Sequence, residues 1–104
     1  MLTKPVLLTN PVHEVFNQLT GEQDFNVAAS IVLREFLELK KKIVQNKIAD
    51  FGKKYGMDFA EFEQACEDGR IQDPFSYEVE KDTWDWEAAL SEEKTFETFL
   101  QWLE

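Results

Sequence analysis

Between Asn26 and Tyr55 the apolar residues recur at the spacing of a helix face. Val32, Phe36, Leu39 and Ile43 follow one another at four, three and four positions, and Val44, Ile48, Phe51 and Tyr55 repeat that spacing one position on. Such intervals put side chains on one side of an α-helix. Together the two rows make a broad apolar stripe on a helix of roughly 40 Å at 1.5 Å per residue. A helix this long cannot bury its stripe on itself, so other segments must fold back over it or a second copy must cover it. Its first part, Ala28-Ala29-Ser30-Ile31-Val32-Leu33, is apolar nearly all round, as at a dimer core. The pattern therefore predicts a mainly α protein: a small helical bundle centred on the long helix. It also predicts a homodimer, with Val32, Phe36, Leu39 and Ile43 at the interface.

The remaining elements are set by caps and breakers. Residues 2 to 8 are apolar with one lysine and Pro5, and read as a short strand or extended arm; Pro5 restricts it to an edge or a chain end. Asn10 is placed as an N-cap with Pro11 at the first helical position, Val12, Val15, Phe16 and Leu19 form one face, and Gly21 ends the helix. Asp24 or Asn26 caps the long helix and Gly56 stops it. Asp58 and Glu61 have capping-box spacing, Phe59, Phe62 and Cys66 share a face, and Gly69 ends that helix. Arg70 to Val79 reads as an extended connection with Phe75 and Tyr77 pinned to the core or to a partner. A last helix is expected from Asp82 or Thr83 toward Glu104, with Trp86, Ala89, Leu90, Phe96, Leu100 and Leu103 on its stripe. Glu93 interrupts that stripe, and Ser91-Glu92-Glu93 could restart a separate helix. Trp86 belongs to the core on this reading, whereas Trp84, Phe99 and Trp102 fall off the stripe.

Charge divides the chain. Residues 1–52 hold six basic and six acidic residues, and residues 53–104 hold five basic and fifteen acidic, so the whole net charge of −10 lies in the second half. We read one domain over residues 1–104, with a dimerising part at 1–55 and an acidic, partner-binding helical part at 56–104. The acidic field steers basic partners and repels nucleic acid phosphates. The apolar runs are too short for a membrane span or a signal peptide, and the lone Cys66 fits a reducing compartment, so a cytoplasmic protein is expected.

Little in the chain points to catalysis or cofactors. His13 and Cys66 have no companions at ligand spacing, so no metal and no other cofactor is expected. Asp82, Asp85 and Glu87 lack the glycine and alternation of a calcium loop. No glycine-rich phosphate loop occurs among four glycines, and Ser30 has no base beside it in sequence. The expectation is a protein that is not an enzyme.

Two stretches carry resemblances. The strand–helix–helix order of residues 2–39 resembles ribbon-helix-helix proteins, intertwined dimers that read DNA with a two-stranded ribbon. Val27 to Leu37 stands where that fold has its second helix. Of Leu2, Lys4, Val6 and Leu8 on one ribbon face and Thr3, Pro5, Leu7 and Thr9 on the other, only Lys4 suits groove reading. Weak or absent DNA binding by the isolated protein follows. The stretch from Tyr55-Gly56-Met57-Asp58-Phe59-Ala60-Glu61-Phe62-Glu63 to Tyr77-Glu78-Val79-Glu80-Lys81-Asp82-Thr83-Trp84-Asp85-Trp86-Glu87-Ala88 resembles small prokaryotic helical proteins, among them antitoxins of type II toxin–antitoxin modules. That resemblance implies binding and occlusion of a small basic toxin; a DNA-binding autoregulator or an adaptor without a toxin partner is the alternative. The residues themselves point the same way. Phe75, Tyr77 and Trp84 are interface-type aromatics, set among Glu78, Glu80, Asp82 and Asp85, which would steer a basic surface.

Overall fold

The computed structural model describes residues 11–104. Among them the protein is mainly α, without strands: α1 (Pro11–Thr20), α2 (Phe25–Tyr55), α3 (Phe59–Glu67) and α4 (Tyr77–Trp102). The expected N-terminal strand or arm and the Asn10 cap lie outside the described residues. No helix among them is long and apolar enough to cross a membrane.

Local chemistry explains the boundaries. The Asp24 carboxylate accepts the Val27 backbone N–H, so the cap is Asp24, with Asn26 already inside the helix. Gly56, at φ 70°, ends α2 by donating its N–H to the Gly52 carbonyl, a left-handed turn that a Cβ would strain. Asp58 and Glu61 complete the capping box at α3. The last helix starts earlier than the sequence suggests. Ser76 Oγ accepts the Val79 N–H, so Tyr77, Glu78 and Val79 are helical and the connection shrinks to about Arg70–Ser76. A helix from Tyr77 places Val79 seven residues before Trp86, where both face inward and are buried. Nor does α4 break at Ser91. Glu93 is tolerated on the inner side because Gln45 of α2 donates a 3.0 Å hydrogen bond to its carboxylate.

The molecule is a long antiparallel hairpin. α4 runs back along α2 from Tyr55, whose hydroxyl meets Asp82, to Arg34, whose guanidinium donates to the Leu103 carbonyl at 2.5 Å. α3 closes one end of it. There the core gathers: Phe62, Val79 and Trp86 are buried, with Ile48, Phe51, Tyr55, Met57, Phe59, Cys66, Ile71 and Leu90 packed around them. Ring centroids of Phe51, Phe59 and Phe62 lie 5.2–5.6 Å from that of Trp86. At the other end α1 packs on the start of α2, where Phe16 stacks on Phe25 at 5.5 Å, and α1 has no buried residue. The shape is extended, 70 × 28 × 18 Å. Its radius of gyration is 21.1 Å, against about 13 Å for a compact chain of 100 residues. The apolar stripe of α2 thus splits in two. Leu37, Val44, Ile48, Phe51 and Tyr55 turn toward α4 and the core, while Phe36, Leu39 and Ile43 lie about a third of a turn away, at 54%, 64% and 51% exposure.

Candidate functional site

The closed end is locked by one polar junction. Tyr55 Oη donates to Asp82 Oδ2 at 2.5 Å, and Lys54 Nζ reaches Asp82 at 2.5 Å and Glu78 at 2.8 Å. Burial works to raise the Asp82 carboxyl, but the hydrogen bonds from Lys54 and Tyr55 outweigh it and hold the group below the ordinary carboxylate range. Burial first, and then the hydrogen bond to Asp82, pushes the Tyr55 phenol up to about 12. The Lys54 ammonium is likewise raised by its two carboxylate partners. For Asp82, a depressed folded value means stability that is present above roughly pH 3.9 and lost as pH falls. For Tyr55, a raised folded value means stability that is present below roughly pH 10 and lost as pH climbs toward about 12. Tyr55→Phe should therefore cost about 1–2 kcal/mol in urea unfolding at neutral pH. It should also flatten both the acid and the alkaline fall. An unchanged urea midpoint would show that the Tyr55 hydroxyl contributes nothing to the junction.

Beside that junction, on the outer side of α3 and α4, lies an open groove of about 380 Å³. Phe62 and Cys66 line its inner side, and Pro74, Phe75 and Trp84 line the rest of its apolar surface. The connection that brings Phe75 here turns sharply at Asp73, whose φ of 49° is a left-handed conformation that Asp tolerates better than most residues. Ser76 N–H donates to the Asp73 carbonyl and closes that turn. Glu63 and Glu67 of α3 and Glu80 of α4 line the same groove. Burial, with Glu63's charge adding to it, pushes the Cys66 thiol up. A thiol held protonated in this way is a poor nucleophile.

Each predicted partner-binding residue can now be placed. Phe75, Tyr77 and Trp84 stand out from the surface, at 86%, 76% and 64% exposure. Glu80 lies at the groove. Glu78 and Asp82 are held by Lys54, and Asp85 by Lys81 at 2.6 Å. The groove therefore unites Phe75, Glu80 and Trp84, while Tyr77, Glu78, Asp82 and Asp85 lie outside its lining. Sequence reasoning missed Glu63 and Glu67. Two like charges at i and i+4 on a short helix beside Cys66 were the available signal.

A second surface occupies the open end. One groove between α2 and α4 is lined near α3 by Lys47, Asp50, Asp85, Ala88 and Glu92. Residues four, seven or eleven positions away share a helix face. By that rule Phe36 and Ile43 of α2, and Phe96, Phe99 and Leu103 of α4, continue the same side, which turns from polar to apolar toward the open end. Of the predicted dimer residues, Phe36, Leu39 and Ile43 are exposed and Val32 is half-buried. Val12, Val15 and Leu19 of α1 add a further exposed apolar face. Among the described residues, no group of His, Cys, Asp or Glu side chains is arranged to hold a metal ion. Comparison with family models, with curated proteins and with solved structures gave no match.

Proposed function

We propose that this is a non-catalytic binding protein that neutralises a small basic partner protein by covering it, in the manner of an antitoxin. The observation that carries the reading is the exposure of Phe75, Tyr77 and Trp84 within one short stretch of the acidic half, beside a core that buries Trp86. Exposed aromatics in such a cluster supply affinity at protein interfaces, and the surrounding carboxylates supply steering. The working unit is a homodimer in which Val32, Phe36, Leu39 and Ile43 meet a second copy. This arrangement leaves the other end of each copy, with Phe75, Tyr77 and Trp84, free for partners. The molecule acts in the cytoplasm and needs no cofactor.

The product of the adjacent gene, if small and basic, is the partner to test. Trp84→Ala should weaken that complex by about 2 kcal/mol, roughly thirtyfold. The variant's melting temperature should match the wild type, because Trp84 lies outside the core cluster. Association should also slow with salt, over a Debye length of about 8 Å at physiological ionic strength. A lowered melting temperature with unchanged affinity would make Trp84 a structural residue and sink the reading.

A further inference from the structure

We infer that the groove between α3 and the start of α4 is a receptor for an arginine side chain presented by the partner, a site that rests on the partner-binding reading above and gives it its chemistry. Charge complementarity is the first argument. Glu63, Glu67 and Glu80 line the groove, and among the described residues no basic side chain lines it. Among the described residues none of the three carboxylates is in an ion pair, whereas Asp68, Glu78, Asp82 and Asp85 nearby are occupied by Arg70, Lys54 and Lys81. Glu63 and Glu67 are also one turn apart on α3, where like charges repel until a cation sits between them. Among the described residues, the negative charge at this groove is thus left without a cation.

The shape of the cation follows from the other lining. The same acids and Cys66 surround the groove without converging on a point that could hold a metal ion. A compact divalent ion would leave most of them unsatisfied, while an extended cation can reach several. Phe75 and Trp84 offer exposed aromatic faces beside the carboxylates. A guanidinium fits both features: its plane stacks on an indole, and its fork of N–H donors pairs with carboxylates. An ammonium meets only the charge. The aliphatic stem of arginine would lie along Pro74 and Phe75.

The test uses the full chain labelled with 15N and follows its three indole N–H signals, assigning Trp84 by its loss in Trp84→Phe. N-acetyl-arginine amide is titrated against N-acetyl-citrulline amide, its uncharged isostere, and N-acetyl-lysine amide. The arginine probe should move the Trp84 signal along a saturating curve and leave Trp86 and Trp102 in place. Lysine should bind more weakly, and citrulline should have almost no effect. Glu63→Gln with Glu67→Gln and Glu80→Gln should weaken the arginine probe at least about tenfold, in line with loss of charge-assisted contacts. Equal response to citrulline, equal movement of Trp102, or an unaffected triple variant would overturn the assignment. An equal response to lysine would overturn the stacked guanidinium. If the triple variant still captured the basic partner at full affinity while Trp84→Ala did not, the groove would fall and the binding function would stand. If the wild type bound no basic partner but took arginine selectively, the reverse would hold.

Discussion

Trp86→Ala should remove about 3–5 kcal/mol of stability and leave much of the protein unfolded at room temperature. Trp86 is 1% exposed, and Phe51, Tyr55, Phe59 and Phe62, from two other helices, all pack their rings against it. It is where α2, α3 and α4 are joined, so truncation opens a cavity that three helices cannot close without losing their mutual contacts. A domain of this size has about 5–15 kcal/mol in total, and an extended molecule with one small core belongs toward the lower end. One feature of the site tempers the loss in a conservative variant. Among the described residues the buried Trp86 indole N–H has no hydrogen-bond partner, at a cost of about 1–3 kcal/mol. Trp86→Phe discards that penalty with the smaller ring and should fall within about 1.5 kcal/mol of the wild type. Urea unfolding followed by circular dichroism measures both. If Trp86→Ala unfolded at nearly the wild-type urea concentration, the core would not be where the fold is held.

The wild-type protein should sediment at micromolar concentration with about twice its chain mass of 12.2 kDa, and Phe36→Asp should return it to one chain. Phe36, Leu39 and Ile43 are exposed on a helix whose neighbouring stripe is already used by α4, and Phe99 and Leu103 extend the same side. Contiguous apolar surface of this kind marks an interaction site. The charge distribution selects a second copy as its occupant. At this end the α2 strip belongs to the half of the chain with balanced charge, so two copies can meet through it with their α3 ends, where Glu63, Glu67 and Glu80 lie, directed apart. A carboxylate at position 36 would be desolvated in that seam, at a cost of several kcal/mol. Within one chain the position is more than half exposed, so the variant should remain helical. Dissociation without loss of helicity is therefore the expected signature. A monomeric wild type at micromolar concentration would remove the homodimer from the proposal.

The helices themselves are written locally. Asp24, Gly56, Asp58 with Glu61, and Gly21 at φ 76° place ends through hydrogen bonds to neighbours a few residues away, and such signals can be read from a sequence. The inward position of Trp86 was legible too, because helical spacing alone puts it on the stripe. The start of α4 was not, because Phe75 and Tyr77 read as aromatics of a connection while the Ser76 cap and the burial of Val79 set the register. The partition of the α2 stripe is a tertiary matter. Both rows are equally apolar in sequence, and only the direction in which α4 returns decides that Val44, Ile48 and Phe51 are covered while Phe36, Leu39 and Ile43 are left open. The candidate groove has the same origin. Glu63 and Glu67 are seventeen and thirteen positions from Glu80, and a turn through Asp73 brings them to one cleft with Phe75 and Trp84. The sequence by itself determined where each helix could form and which residues wanted burial, since both are near-neighbour and solvation effects. Which apolar residues found cover, and which carboxylates kept free charge, depended on helix-to-helix distances that no local pattern encodes.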